Sequence, residues 1–107
     1  MKLYLITRAD LSPGQQAIQA AHSLREFVAL HEAIDQKWYE ESNTLVMLSV
    51  PNEVCLRDLL NRAGDNEISV APFTEPDLDN QLTAVAIGPE GKDLCQGLPL
   101  ALKVNPL

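Results

Sequence analysis

Four polar residues are spaced along one predicted helix so that their side chains share a face. They are Gln15, Gln19, His22 and Glu26, which an α-helix with about 3.6 residues per turn brings into one row. Two amides, an imidazole and a carboxylate could hold a polar ligand or pass a proton to an attacking water. The alternative is an ordinary solvated face opposite the apolar side of the helix, and spacing alone favours it.

Carboxylates are concentrated in a predicted loop later in the chain. The run is Glu75-Pro76-Asp77-Leu78-Asp79, with three acids in five residues. Neighbouring carboxyl groups can raise one another's pKa and create a general base, or they can hold a divalent cation. A solvated acidic turn is the commoner alternative.

Other patterns predict structure rather than chemistry. Gly88-Pro89-Glu90-Gly91-Lys92 fails the spacing of a phosphate-binding loop and predicts a turn that leads into a helix. His31 falls on the apolar side of the first helix, where a core or interface histidine is expected. The chain shows no nucleophile elbow, dinucleotide fingerprint or zinc spacing, so no metal or cofactor is predicted.

The elements that carry these residues follow from periodicity and from breakers. Residues 2–8 predict a first strand, and Ser12 caps a helix with Pro13 at its first position and Gln15 completing a capping box. Apolar spacing extends that helix to about Trp38. Strands are predicted at residues 43–50, 68–73 and 82–87, and helices at 54–63 and 92–96.

This order predicts a single α/β domain over residues 1–107. The β-α-β-α-β-β-α sequence of elements indicates a sheet layered against helices. The last two strands are close enough along the chain to form an antiparallel hairpin, which makes the sheet mixed.

Composition and charge limit the partners. The 107 residues are 46% hydrophobic and include 8 basic and 15 acidic side chains, which give a formal net charge of −7. An acidic chain argues against a nucleic-acid partner unless a local patch holds the phosphates. No apolar run is long enough for a membrane span, no signal peptide is evident, and Cys55 and Cys95 lack a metal or redox spacing, so a cytoplasmic protein with reduced thiols is expected. The sequence leaves open a monomer or a homodimer.

Two motifs lie near the two ends of the chain. Near the start, a strand leads into Arg8-Ala9-Asp10-Leu11, Gly14 and Ala17-Ile18-Gln19-Ala20-Ala21-His22. Near the end, a strand and turn read Leu82-Thr83-Ala84-Val85-Ala86-Ile87-Gly88-Pro89. Together these motifs resemble the type-2 peptidyl-tRNA hydrolases of archaea and eukaryotes. The resemblance implies a mixed four-stranded sheet with helices on its faces.

The resemblance also implies an activity, namely metal-free hydrolysis of the ester that joins a peptide to the 3′ end of tRNA. The implied catalytic residues are Gln19 and His22 on the helix, Thr83 on the late strand, and Glu75 or Asp77 in the acidic loop. The implied substrate contacts are Arg8, Asp10 and Gln15. The loop carboxylate, with His22, would activate water while Thr83 or Gln19 bonds the ester oxygen.

The sequence departs from that family at the helix start. Gln15 stands where the family has a lysine, the segment from Leu11 to Gly14 is shorter, and Glu75-Pro76-Asp77 replaces an Asp-Ala-Gly pattern. Glutamine can form hydrogen bonds but carries no charge. Two other functions therefore stay open: a non-catalytic relative that binds a protein or small ligand through the same surface, and a hydrolase for a different acyl ester or amide.

Overall fold

Four strands and four α-helices make up most of residues 1–103, the part of the chain that the computed structural model describes. The strands are β1 (Lys2–Arg8), β2 (Thr44–Val50), β3 (Val70–Glu75) and β4 (Gln81–Ile87), and the helices are α1 (Pro13–Leu30), α2 (Glu32–Glu41), α3 (Glu53–Asp65) and α4 (Lys92–Cys95). The sheet order is β2-β1-β4-β3. β1 is parallel to β2 and antiparallel to β4, and β4 is antiparallel to β3. The predicted α/β class, mixed four-stranded sheet and final hairpin are confirmed.

Alternating side chains of β1 place an apolar core on each face of the sheet. Leu3 and Leu5 pack with Phe27 of α1 and Trp38 of α2. Tyr4 and Ile6 face the other way and pack in a second cluster, which includes Leu56 and Leu59 of α3 and Cys95 of α4. The result is three layers, with helices covering both faces of the sheet.

The buried face of α1 differs from the predicted one. Residues buried on this helix are Gln16, Gln19, Ala20, Ser23 and Phe27, whereas Ala17 and Ala21 are exposed. The face of α1 that is buried in the structure is therefore turned by about 100°, the step of one residue, from the apolar face that the spacing predicts. The prediction that Gln19 lies on the solvated face was wrong, while Gln15, His22 and Glu26 do lie exposed.

The predicted long first helix is two helices, separated at His31. The backbone of His31 has φ −131° and ψ 56°, which is not helical. Its Nε2 lies 2.8 Å from the carbonyl oxygen of Val70 in β3, and its ring packs at 4.8 Å from that of Phe27. The contact of the half-buried His31 ring with β3 thus fixes the position of the helix break against the sheet. Trp38 of α2 is buried and donates from Nε1 to the carbonyl of Thr44 at 2.8 Å.

A β-bulge interrupts the hairpin of β3 and β4. Phe73 pairs with Ala84, and Thr74 pairs with Leu82, so Thr83 is the extra residue on β4. The bulge determines which face of the sheet the Thr83 side chain reaches. The acidic loop follows β3 directly and contains one turn of 3₁₀-helix at Pro76–Leu78.

The free edge of β2 is partly covered by residues that follow α4. Ser49 N–H donates to the carbonyl of Pro99 at 2.9 Å, and Ala101 N–H donates to the carbonyl of Met47 at 3.0 Å. Leu48 and Leu100 form the bridge between these two bonds. Within residues 1–103, no helix is both long and apolar enough to cross a membrane.

Candidate functional site

The buried amide of Gln19 links a threonine to a carboxylate. Its Oε1 accepts from the hydroxyl of Thr83 at 2.7 Å, and its Nε2 donates to Oε1 of Glu75 at 3.1 Å. Gln19 is 3% exposed and Thr83 is fully buried, while Glu75 is half-buried. Three of the predicted site residues, separated by up to 64 positions in the chain, are therefore in direct contact.

The chemistry of the partners fixes the orientation of this amide. An ionised carboxylate can only accept hydrogen bonds, so the NH₂ group of Gln19 must face Glu75. The amide oxygen then faces Thr83, whose hydroxyl lies 2.7 Å from it and 3.3 Å from the carbonyl oxygen of Phe73. We assign the single hydroxyl hydrogen to the shorter contact, with Gln19. Within residues 1–103, one N–H of Gln19 is left for a further acceptor.

The β-bulge brings Thr83 into this contact. In a regular strand, Thr83 would share the sheet face of Val85 and Ile87, which pack in the cluster on the α3 side. The extra residue instead directs its hydroxyl to Gln19 on α1. Bulges commonly re-aim a side chain in this way next to functional sites.

Side chains hold the backbone where the bulge disturbs the ladder. Leu82 N–H donates to Oε2 of Glu53 at 2.7 Å, and the Leu82 carbonyl accepts from Nη1 of Arg8 at 3.2 Å. The carbonyl of Thr83 accepts from the hydroxyl of Thr7 at 3.2 Å. The position of Thr83 is thus determined by β1, α3 and α1 together.

Arg8 is buried and uses its guanidinium within the chain. Nε and Nη2 donate to the two oxygens of Asp10 at 3.0 and 2.9 Å, and Nη1 also donates to Oε1 of Gln81 at 2.8 Å. The hydrogen bonds from Arg8 lower the pKa of the Asp10 carboxyl, although burial opposes this, and the same bonds raise the pKa of Arg8. Substrate binding by these two residues stays a prediction; in the structure Asp10 pairs with Arg8, and Arg8 also contacts β4.

An open groove of about 380 Å³ lies beside the buried amide. It is lined by Gly14, Gln15, Ile18, Gln19, Glu75, Asp77 and Leu78. The start of α1 and the acidic loop therefore form its two walls. Among the described residues that line it, two are carboxylates and none is basic.

His22 lies on α1 close to one turn beyond Gln19. Its ring stacks on Phe73 of β3 with centroids 4.3 Å apart and planes 6° from parallel. Stacking holds the ring by its face, and its nitrogens form no hydrogen bond within residues 1–103, so they remain available at the exposed edge. Glu26, another turn along, is exposed.

Several residues of this site were not predicted from the sequence. Phe73 supports His22, and Thr7, Glu53 and Gln81 hold the strand that carries Thr83. Polar Thr7 within an apolar strand was the one available signal, because a buried hydroxyl needs a partner. Within residues 1–103, no three His, Cys, Asp or Glu side chains are placed to hold a metal ion.

These features define a three-layer α/β domain with a hydrogen-bonded polar site in the wall of a groove. The family model for peptidyl-tRNA hydrolase PTH2 matches residues 1–104. The chain therefore belongs to the PTH2 family, which confirms the resemblance seen in its motifs.

The fold has a counterpart among solved structures. A protein of unknown function from Agrobacterium tumefaciens strain C58 has a TM-score of 0.66 and 17% identity, covering 92% of this chain and 96% of that protein. At this identity the likeness concerns the fold alone. No curated protein matches the sequence significantly.

Proposed function

We propose that this protein hydrolyses the ester between a peptide and the 3′ end of tRNA. The observation that carries the proposal is the Thr83–Gln19–Glu75 chain of hydrogen bonds in the groove wall. It combines a carboxylate that can accept a proton with an oriented amide that can donate to an oxyanion. Membership of the PTH2 family supports this substrate.

In the proposed reaction, Glu75 takes a proton from a water molecule, and the resulting hydroxide adds to the ester carbonyl. The free N–H of Gln19 donates to the oxyanion that forms, a contact that strengthens as charge develops. When the intermediate collapses, the 3′-oxygen leaves and takes up the proton held by Glu75, for which His22 is the proposed relay. The products are a peptide carboxylate and a tRNA with a free 3′-hydroxyl.

The sequence leaves open whether Thr83 or Gln19 bonds the ester oxygen. In this scheme Thr83 does not, because its hydroxyl donates to Gln19 and its side chain is fully buried. Thr83 instead orients the amide of Gln19. Gln19 is therefore the residue that meets the ester oxygen, and Thr83 is a positioning residue.

The direct test is an assay of the purified protein with an N-blocked aminoacyl-tRNA, such as diacetyl-lysyl-tRNA. We expect turnover above the spontaneous rate, and a His22→Ala variant is expected to lose roughly 10²-fold in kcat, as for removal of a proton-transfer group. Circular dichroism must show that both proteins are folded. Absence of turnover by the folded wild-type protein would refute the hydrolase.

The second candidate is a non-catalytic member of the family that binds a ligand in the same groove. It is favoured by one observation: among the described residues that line the groove, Glu75 and Asp77 are acidic and none is basic. Such a surface repels phosphate. Binding of a ligand without ester hydrolysis would support this candidate.

A charge introduced at Gln15 tests where the tRNA would approach. Gln15 lines the groove and is exposed, so Gln15→Lys adds a cation without burying it. We expect the KM for the tRNA substrate to fall roughly tenfold at low salt. The slope of log binding constant against log salt concentration should become more negative by about one.

The matched control is Gln36→Lys, which makes the same charge change at an exposed position of α2. It should leave KM within about twofold of wild type. An equal gain in both variants would mean that tRNA responds to net charge rather than to the groove.

A further inference from the structure

A second cavity lies beyond the carboxyl ends of the two parallel strands. It has a volume of about 310 Å³ and is lined by Ala9, Pro13, Gln16, Ser49, Pro99, Leu100, Leu102 and Lys103. Ala9 directly follows β1, and Ser49 is the penultimate residue of β2. It shares no lining residue with the groove beside Glu75. In α/β sheets, this end of parallel strands is a common place for ligands.

Two buried polar side chains at this cavity have unused hydrogen-bonding atoms. Ser49 is 6% exposed and Gln16 is 7% exposed. The Gln16 amide nitrogen donates to the carbonyl of Leu11 at 2.8 Å, which leaves its Oε1 without a partner within residues 1–103. The hydroxyl of Ser49 likewise forms no hydrogen bond with a described residue.

These atoms are not sealed in the core. Among the described residues, no fully enclosed side-chain nitrogen or oxygen lacks a hydrogen-bond partner. Ser49 Oγ and Gln16 Oε1 therefore retain a small accessible surface, and both residues line the cavity. A largely buried hydroxyl and amide oxygen that no described residue pairs suit a polar ligand that can hydrogen-bond to them.

The remaining lining residues define the ligand's other features. Among the described lining residues, Lys103 alone is charged, and its ammonium favours an anion. Two prolines, two leucines and an alanine supply apolar walls. The volume is at the lower end of the ~300–1,000 Å³ range of ligand pockets, which limits the ligand to a small molecule.

We propose that this cavity binds a small monocarboxylate with a branched apolar side chain and a hydrogen-bond donor next to the acid group. The carboxylate accepts from Ser49 and pairs with Lys103, the neighbouring N–H or O–H donates to Oε1 of Gln16, and the side chain contacts Leu100 and the prolines. A 2-hydroxy acid and a 2-amino acid share this chemistry. The site is separate from the proposed hydrolase groove and does not depend on that activity.

The test is a titration of the full-length ¹⁵N-labelled protein, followed by ¹H–¹⁵N NMR. The probes are 2-hydroxy-4-methylpentanoate and L-leucine, and the tighter of the two identifies the donor that the site prefers. Saturable shifts centred on Gln16, Ser49 and Leu100 are expected, with Kd on the order of 1 mM. Removing the donor (4-methylpentanoate) or the carboxylate (4-methylpentane-1,2-diol) should weaken binding about tenfold.

Variants locate the contacts. Ser49→Ala and Lys103→Gln are each expected to raise Kd about tenfold, while Lys37→Gln, which removes the same charge from α2, should not change it. The dispersion of the Ser49→Ala spectrum shows whether that variant is folded, and Lys103→Gln, at an exposed position, gives an independent test. Absence of saturable shifts with both probes, shifts centred elsewhere, or equal Kd values in Lys103→Gln and Lys37→Gln would overturn the proposal.

Discussion

Replacing Glu75 with glutamine is expected to lower kcat for N-acyl-aminoacyl-tRNA by roughly 10²–10⁴-fold. The amide has nearly the same shape but cannot take a proton from water. It also presents both a donor and an acceptor to Gln19, so the orientation of the Gln19 amide is no longer determined. The rate of acyl release under single-turnover conditions measures the chemical step directly.

The same acidic loop offers a matched control. Asp79→Asn makes an identical acid-to-amide change at an exposed residue that does not line the groove. Its backbone is left-handed, with φ 54°, which asparagine tolerates. We expect kcat within about twofold of wild type for this variant. A larger loss of kcat in Asp77→Asn than in Glu75→Gln would indicate that Asp77, and not Glu75, is the general base.

Replacing Arg8 with methionine is expected to destabilise the fold by about 2–4 kcal/mol. The substitution keeps the aliphatic stem but removes every guanidinium hydrogen bond of a residue that is 7% exposed. The carbonyl of Leu82 loses a charged donor, and bonds of this kind contribute about 1.5–3 kcal/mol each. Urea unfolding followed by circular dichroism at pH 7 measures the loss.

Arg62→Met is the comparison for that measurement. Arg62 has a side chain that is 56% exposed and lies 3.9 Å from Asp58 one turn away, so its removal should cost less than about 0.5 kcal/mol. A loss of the same size in Arg8→Met would show that the contacts of Arg8 with β4 contribute little to stability.

The cost of Arg8→Met should also depend on pH, because Arg8 lowers the pKa of Asp10 in the folded state. A lowered pKa stabilises the fold above the unfolded value of about 3.9, and this contribution is lost as the pH falls through the folded value. The difference between wild type and variant should therefore be smaller at pH 3 than at pH 7. The Asp10 side chain is 42% exposed, so solvent screening keeps this change modest.

Local patterns were sufficient to predict most of the fold. The capping box at Ser12 and Gln15 is present, because both partners lie within one turn of each other. The strands were placed within two residues of their observed bounds, and the hairpin follows from the short connection between β3 and β4. These features depend on residues that are close along the chain, so the sequence displays them directly.

The errors arose where distant residues decide the outcome. Hydrophobic spacing placed Gln19 in solvent, since an amide in the core is unfavourable unless it is paired. Its partners Thr83 and Glu75 are 64 and 56 positions away. The helix break at His31 was likewise not predicted. No proline or glycine marks it in the sequence, and the contact that stabilises it is with the carbonyl of Val70, 39 positions away.

The residues of the candidate site were named from the sequence, but their arrangement was not predicted. Gln19, Thr83 and Glu75 were all named from the family motifs, yet the order of their hydrogen bonds depends on the bulge at Thr83. A bulge has no local signature here, as Leu82-Thr83-Ala84 is compatible with a regular strand. The contacts of Arg8, Thr7 and Glu53 that hold this bulge are visible only in three dimensions.

The cover over β2 affects how this chain behaves among copies of itself. An edge strand with unpaired N–H and C=O groups is a template for intermolecular β-pairing. Because Pro99 and Ala101 bond to Ser49 and Met47, this stretch of the edge is satisfied within the molecule. Residues 99–101 thus remove this stretch of β2 as a template for pairing between molecules, and they do so with backbone atoms, so that their side chains can vary without loss of that effect.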